Sequence, residues 1–436
     1  MEESVPPMPY KIAVNCITFI VVPRRKGMLA RDGRATPSIS KYSGVEGGRY
    51  ILSRMKNKIR LSRSIVGPEE AAAASRVITG DGYLGMGAEV QRFEEEIAAF
   101  LGVPPANVAT VNSGTAAVHL AVQGMVPPGG EVLVQSLTFV ATFQAISAAG
   151  AVPVACEIDP LTGAIDLADA ARRITPNTRA IVAVHYASNP ANLDALYAFA
   201  ARYGLRVIED AAHAFGCRHK GKMIGSFGDA ACFSFDGIKN ITSGEGGAVV
   251  SGDRALMAAV KDARLLGVER DTEKRFSGER SWEFDVTAQG WRYHMSNIFA
   301  AIGRVQLKRF PLEFAPRRVA LAKQYRALLA DMPGIGFFQW DETATIPHIL
   351  PVKVKSGRRD ALKAHLASEN IESGIHYKPN HLLTYYGGGA VRLPVTEALY
   401  EELLSLPLHT GLGDDDVKRV CAAIREFHGW RAAFAD

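Results

Sequence analysis

The sequence predicts an α/β fold: a mainly parallel sheet covered by helices on both faces, with a smaller αβ unit after it. Three observations carry this expectation. From residue 108 onward, short β-branched runs alternate with apolar-periodic helical segments, the rhythm of repeated βα units. Small and polar residues cluster at or just beyond the carboxyl ends of those runs, where open α/β sheets bind their ligands. Near residue 299 the alternation gives way to a long helical stretch and then to a different order of elements. A chain of 436 residues is long enough for two domains with ample cores.

Residues 1–58 mix Pro, Gly, Ser and basic side chains with one apolar run at 12–22, too short to span a bilayer. Glu2 and Glu3 precede that run and arginines follow it, the reverse of a secretory signal. The stretch holds eleven Lys and Arg against four Asp and Glu, a surplus larger than the +5 of the whole chain. The remainder is therefore slightly acidic, and no nucleic-acid or membrane partner is expected. We read residues 1–58 as a poorly ordered basic extension, or as a start assigned too early with Met55 as the first residue. The five cysteines, Cys16, Cys156, Cys217, Cys232 and Cys421, are scattered and form no C-x-x-C pair. They describe neither a zinc site nor a disulfide framework, which fits reduced thiols in a cytoplasmic protein without a metal.

Helical patterns follow at 68–77 and 89–101, the second with Val90, Phe93, Ile97 and Phe100 on one face. A strand at 108–111 runs into Asn112-Ser113-Gly114-Thr115 and a helix at 116–122. That turn offers free backbone N–H groups and a positive dipole end to a phosphate; an ordinary capped helix would look the same. Strands are then expected at 131–134, 152–157, 180–184 and 207–209, and helices at 139–149, 167–173 and 193–203. Asn112 to Thr115, Phe139, His185, Asp210 and His213 fall at the strand ends and are expected to line one cleft.

The chemistry concentrates in GDAACFSFDGIKNITSGEGGAVV, residues 228–250. Strand-like runs at 230–235 and 248–250 flank a loop with a single lysine, Lys239, followed by Gly244, Gly246 and Gly247. Asp210 is offered from an adjacent strand end. An amine and a carboxylate converging in this way fit pyridoxal phosphate (PLP): the lysine makes a Schiff base, and the carboxylate keeps the ring nitrogen protonated. Other nucleotide and hydrolase motifs fail. Gly216 to Lys222 nearly spells a P-loop, but Met223 stands where Ser or Thr is required, and no G-x-G-x-x-G or G-x-S-x-G occurs in the right setting.

Residues 299–329 read as helical with breaks at Pro311 and Pro316. A strand at 346–354, a helix at 359–368, the aromatic-basic stretch Ile375-His376-Tyr377-Lys378-Pro379, a helix at 396–404 and a last helix after Asp414 to Asp416 complete the chain. The expected organisation is an extension at 1–58, a large PLP-binding domain at 59–310 and a small C-terminal domain at 311–436.

Seven segments, SGTAAVHLAV, LTFVATFQAISAAGAVPV, VIEDAAHAFG, FSFDGIKNITSGEGGAVV, GWRYHMSNIFAAIGRVQL, GIHYKPNH and LSLPLH, occur in that order. Together they resemble the DegT/StrS family of sugar-nucleotide aminotransferases, across residues 59–427. The resemblance implies the aspartate-aminotransferase fold, fold type I, with a seven-stranded mixed sheet and a homodimer whose active sites lie at the subunit interface. It implies Lys239 as the Schiff-base lysine and proton carrier, Asp210 as the partner of the ring nitrogen, Phe139 stacked on the ring and His213 at the ring hydroxyl. Gly114, Thr115 and Ser234 match the phosphate cradle. Arg292 stands where the family usually has an Asn that reaches the phosphate across the interface. His376, Tyr377 and Lys378 are the expected sugar pocket. The implied reaction is transamination of a keto-deoxysugar nucleotide by L-glutamate, for polysaccharide, O-antigen or natural-product assembly. A 4-keto-6-deoxyhexose on dTDP, UDP or GDP is favoured over a 3-keto sugar. Two rivals are a sugar dehydratase of the same fold, in which histidine replaces the lysine that this chain retains, and a non-catalytic PLP-binding regulator.

Overall fold

The computed structural model describes residues 57–80, 82–279 and 282–429. All but the last two residues of the expected extension, including the apolar run at 12–22, lie outside this range.

Helices α1 (Pro68–Thr79) and α2 (Ala88–Leu101) come first. Helix α2 buries Val90, Phe93, Ile97 and Leu101 and stops at Gly102, which takes the left-handed conformation (φ 74°) that glycine adopts without a Cβ penalty. The alternating region then runs β1 (Val108–Val111), α3 (Gly114–Met125), β2 (Glu131–Gln135), α4 (Val140–Ala148), β3 (Val152–Cys156), α5 (Leu167–Arg172), β4 (Thr178–Val184), α6 (Leu193–Tyr203) and β5 (Arg206–Asp210). A short hairpin, β6 (Arg218–His219) and β7 (Lys222–Met223), precedes β8 (Ala230–Ser234) and β9 (Gly247–Val250). Helices α7 (Arg254–Ala263), α8 (Asp271–Phe276), α9 (Asn297–Arg309) and α10 (Ala315–Leu329) follow. The chain ends in β10 (Ile335–Phe337), β11 (Leu350–Val354), α11 (Arg359–Ser368), α12 (Pro394–Glu402), β12 (Leu403–Leu406) and α13 (Asp414–Phe427).

Seven strands form one sheet in the order β1-β9-β8-β5-β4-β2-β3. β9 pairs antiparallel with both neighbours, and the remaining pairs are parallel. The sheet is covered on both faces, which explains why its central strands read as continuous apolar runs. One face packs Phe93, Ile181, Val207 and Phe233; the other packs Val118, Val182, Ile208 and Val249. A second, antiparallel sheet, β10-β11-β12, shares a separate core with α10, α11 and α13 built from Tyr325, Val352, Leu362, Leu404 and Ile424. Ile59 belongs to this second core and bridges to Ile371. We propose the division at residues 310 and 311 as a domain boundary, and it falls inside continuous helix.

That continuity differs from the expected proline breaks. Helix α9 passes through a π turn, Phe310–Phe314, directly into α10. The turn closes through the Ala315 N–H on the Phe310 carbonyl, five residues back, and the axis continues past both prolines. A second difference lies at the end of α12. The expected helix to residue 404 stops at Glu402, because Leu403 to Leu406 pair with β11 and bury every side chain of LLSL.

One buried ion pair ties the helical layer to the sheet. Arg264 is fully buried; its Nη1 donates to Glu94 Oε1 at 2.5 Å and to the Thr110 carbonyl at 2.8 Å. The same carboxylate oxygen accepts from the Thr110 backbone N–H at 2.7 Å. Glu94→Ala would leave Arg264 charged, buried and uncompensated, and is expected to cost about 3–5 kcal/mol in chemical denaturation.

Candidate active site

The cleft is assembled at the carboxyl ends of the parallel strands. After β1 the chain turns at Ser113, whose hydroxyl accepts from the Ala116 N–H at 3.1 Å and whose carbonyl accepts from Ala117. The first amides of α3, those of Gly114 and Thr115, have no intrahelical acceptor and stand at the cleft wall. Two glycines let this turn nest on the neighbouring strands. A Cβ on Gly247 would lie 2.5 Å from the Ser113 carbonyl oxygen, and one on Gly114 would lie 2.7 Å from Ser234 Cβ. Beyond β8, the Lys239 N–H bonds the Asp236 carbonyl at 3.1 Å, a tight turn that presents the lysine side chain to the cleft.

The resulting cavity measures about 350 Å³. Of the residues singled out in the sequence, it is lined by Gly114, Thr115, Phe139, Asp210, His213, Ser234, Lys239, His376 and Tyr377. Arg292 and Lys378 are exposed and are not among the lining residues. Asp210 is buried at the end of β5, where Oδ2 accepts from the Thr142 hydroxyl at 2.7 Å and Oδ1 from the Ala212 N–H at 3.2 Å. His213 Nε2 lies 3.1 Å from the Tyr377 hydroxyl. Phe139 is 54% exposed, unusual for a large aromatic, so a ring face is left open to a ligand in the cleft.

Burial dominates the electrostatics. It lowers the pKa of the Lys239 amine below the ordinary lysine value, aided by the Arg318 charge and opposed by Asp236 and Asp210. Burial likewise holds His213 well below the usual imidazole range, with Lys239, His376 and His185 adding to the effect. His376 is pushed down to about 4 by burial and then by the Lys239 charge. Near neutral pH the cleft therefore holds uncharged imidazoles beside an amine that loses its proton more easily than a surface lysine.

His185 is a correction to the sequence reading. It does not line this cleft. It is buried with Nε2 2.7 Å from Glu209 Oε2, and it borders a separate cavity. Val184, the last residue of β4, reaches the cleft and also borders that cavity, and the chain turns away at His185. Asn112 also stands off the cleft lining, with its amide 3.4 Å from the Arg292 carbonyl. The sequence reading missed Thr142, Tyr186, Asp236 and Glu245, all of which line the cavity. Thr142 had a usable signal, since it stands in the first turn of α4, three positions after Phe139, the residue that caps that helix. A larger hollow of about 910 Å³ lies between α1, α2 and α9, but its carboxylates, Glu89 and Glu96, are taken up by ion pairs to Arg304, and no histidine among the described residues lines it.

The cleft fits pyridoxal phosphate on several observations. The Gly114 amide sits where any side chain would collide with Ser234, a cradle shaped for an anion rather than for a Cβ. His213 Nδ1 is buried with no hydrogen-bond partner. The amine of Lys239 and the carboxylate of Asp210 open into one cavity.

Comparison with known proteins agrees. Residues 65–425 match the model of the DegT/DnrJ/EryC1/StrS aminotransferase family. The spore coat polysaccharide biosynthesis protein SpsC of Bacillus subtilis (strain 168) is 36% identical over 387 residues, 86% of this chain and 98% of SpsC. The crystal structure of the aminotransferase TlmJ from Streptoalloteichus hindustanus aligns with a TM-score of 0.78 at 32% identity, covering 85% of this chain and 99% of TlmJ. A putative sugar aminotransferase from Streptococcus pneumoniae, solved in its PLP form, aligns with a TM-score of 0.78 at 26% identity, covering 86% of this chain and 99% of that one.

Proposed function

Because the chain belongs to the DegT/DnrJ/EryC1/StrS aminotransferase family and is a PLP-dependent sugar aminotransferase, we propose that it aminates a keto-deoxysugar nucleotide with L-glutamate as donor. Glutamate leaves as 2-oxoglutarate, and the sugar ketone becomes an amine. The favoured acceptor is a 4-keto-6-deoxyhexose on dTDP, UDP or GDP, and the product serves polysaccharide, O-antigen or natural-product assembly. The observation that carries this reading is the convergence of Lys239 and Asp210 in one cleft, walled by a helix N-terminus on one side and by His376 and Tyr377 on the other.

When bound, PLP stores the amino group and draws electrons from the carbon that loses a proton. The chain supplies the rest. The Lys239 amine, in its deprotonated form, takes that proton and returns it elsewhere, the work of a general base and then a general acid. Asp210, oriented by Thr142, holds the positive charge on the ring nitrogen. Gly114, Thr115 and Ser234 would hold the phosphate, Phe139 would cover the ring, and His213 would meet the ring hydroxyl. His376 and Tyr377 bind the sugar, with Lys378 at the rim. A panel of 3-keto and 4-keto sugar nucleotides, with the new amine located by NMR, tests the acceptor. Amination of 2-oxo acids alone, with no sugar accepted, would overturn the assignment.

We further propose a homodimer in which Arg292 clamps the phosphate held by the partner. Arg292 is exposed and lies off its own cleft, as a residue serving a neighbouring site would. A guanidinium forms paired, charge-assisted bonds to phosphate oxygens. Such bonds contribute about 1.5–3 kcal/mol, so Arg292→Ala is expected to weaken cofactor binding by roughly ten- to a hundredfold. Cofactor dissociation and sedimentation measured together check this; unchanged affinity in a normal dimer removes the role.

A further inference from the structure

Lys239 has a neighbour that the scheme above does not use. His348 comes from the segment leading into β11, and its Nε2 lies 3.5 Å from Lys239 Nζ. It is held from three sides. Its backbone N–H donates to Ser188 Oγ at 2.8 Å, and its ring packs on that of His213 with centroids 4.6 Å apart. Its carbonyl accepts from Arg318 Nη1 at 3.1 Å. Arg318 is itself buried on α10; its Nη1 also reaches the Pro347 carbonyl at 3.3 Å, and its Nη2 reaches the Lys239 carbonyl at 3.3 Å. One guanidinium thus spans the backbones of His348 and Lys239 and fixes the gap between them. Among the described residues it has no carboxylate within ion-pair distance.

The ring nitrogens decide the direction of the contact. His348 Nδ1 is buried with no hydrogen-bond partner. A proton there would be an orphaned buried donor, which is rarer and costlier than an orphaned acceptor. The proton therefore belongs on Nε2, facing Lys239, and only an amine without its third proton has a lone pair to accept it.

We propose that His348, fixed by Arg318 and Ser188, is a positioning residue that donates a hydrogen bond to the Lys239 amine and holds it in the uncharged, nucleophilic form. The surroundings agree. Burial keeps His348 well below the usual imidazole range, with Lys239, His213, Arg318 and His376 adding to the effect. Burial lowers Arg318 to about 10, so it remains a cation at neutral pH and opposes a second positive charge on Lys239. The groups facing Lys239 are Asp210 from β5, His213 beyond it, Asp236 on its own loop, His348, Arg318 from α10 and His376. Only the two aspartates favour the charged amine.

The inference deepens the function proposed above, and its test reads the amine itself rather than turnover. Full-length protein freed of cofactor is trace-labelled with acetic anhydride over a pH series, and the Lys239 peptide is quantified by mass spectrometry. The wild type is expected to titrate below ordinary lysines. His348→Leu should raise the Lys239 pKa by about one unit, a tenfold loss of reactive amine below it. His348→Asn, whose amide ends near the Nδ1 position and falls short of Lys239, should do the same. His348→Gln, which places a donor near Nε2, should stay with the wild type. Arg318→Gln should also raise the value, and Arg318→Lys should not. If His348→Leu does not fold, the Asn variant decides. A Lys239 pKa that is unchanged or lowered in the Leu or Asn variant overturns the proposal, because it would make His348 inert or an acceptor from a charged lysine. Either result is independent of whether a sugar is aminated.

Discussion

Replacing Lys239 with alanine should leave a protein that still takes up pyridoxal phosphate but lacks the visible band of a lysine-linked cofactor and turns over at least about 10³-fold more slowly. Two separate losses produce this. Among the described residues, Lys239 is the one lysine that lines the cleft, so the amine there is lost. It also loses the base whose pKa burial has moved toward neutrality. Binding should persist because the Gly114 to Thr115 turn, Ser234 and Asp210 are set by strands β1, β8 and β5 and owe nothing to the lysine side chain. Absorbance spectra and kcat, measured on the same preparation, check both halves. Near-normal turnover would mean that another lysine does this work.

Asp210→Asn should preserve the shape of the site and remove its charge, with a fall in kcat of about 10²–10³-fold, the scale of losing one preorganised electrostatic contact. The asparagine Oδ1 could still accept from the Ala212 N–H, and its Nδ2 could donate to the Thr142 hydroxyl with that bond reversed, so the fold has no reason to change. What disappears is the anion that stabilises a protonated ring nitrogen. Thr142→Val should act chiefly through Asp210, with the Thr138 hydroxyl also losing a partner, and cost about tenfold, the worth of one hydrogen bond to a charged group. A kcat for Asp210→Asn within about threefold of wild type, where a 1.4 kcal/mol effect would already be tenfold, would remove the carboxylate from the mechanism.

The sequence disclosed the parts of the site that are written in local pattern. The strand, Ser-Gly-Thr turn and helix at 108–125 announce themselves because capping and apolar periodicity are short-range properties. Asp210 and Lys239 were legible because each ends or follows a strand-like run. The error at His185 came from treating a strand end as a point; β4 ends at Val184, which borders both cavities, and His185, one residue on, turns to Glu209 and away from the cleft. Glu94 and Arg264, 170 positions apart, and His348 and Lys239, 109 apart, meet only through tertiary packing that no window of sequence contains. The π turn after α9 and the strand Leu403–Leu406 belong to the same class. In both, tertiary packing and sheet pairing overrode what proline and leucine prefer locally.

Transfer of nitrogen to the cofactor is tested most directly by a half-reaction. The purified, PLP-loaded protein is mixed with L-glutamate in the absence of any sugar, and its absorbance is followed while 2-oxoglutarate is assayed. The predicted result is a loss of the visible band with release of one 2-oxoglutarate for each active site converted, and no conversion in Lys239→Ala. An unchanged spectrum and no oxo acid, with glutamate and with every other amino donor tried, would contradict the account and leave a protein that binds the cofactor without transferring nitrogen.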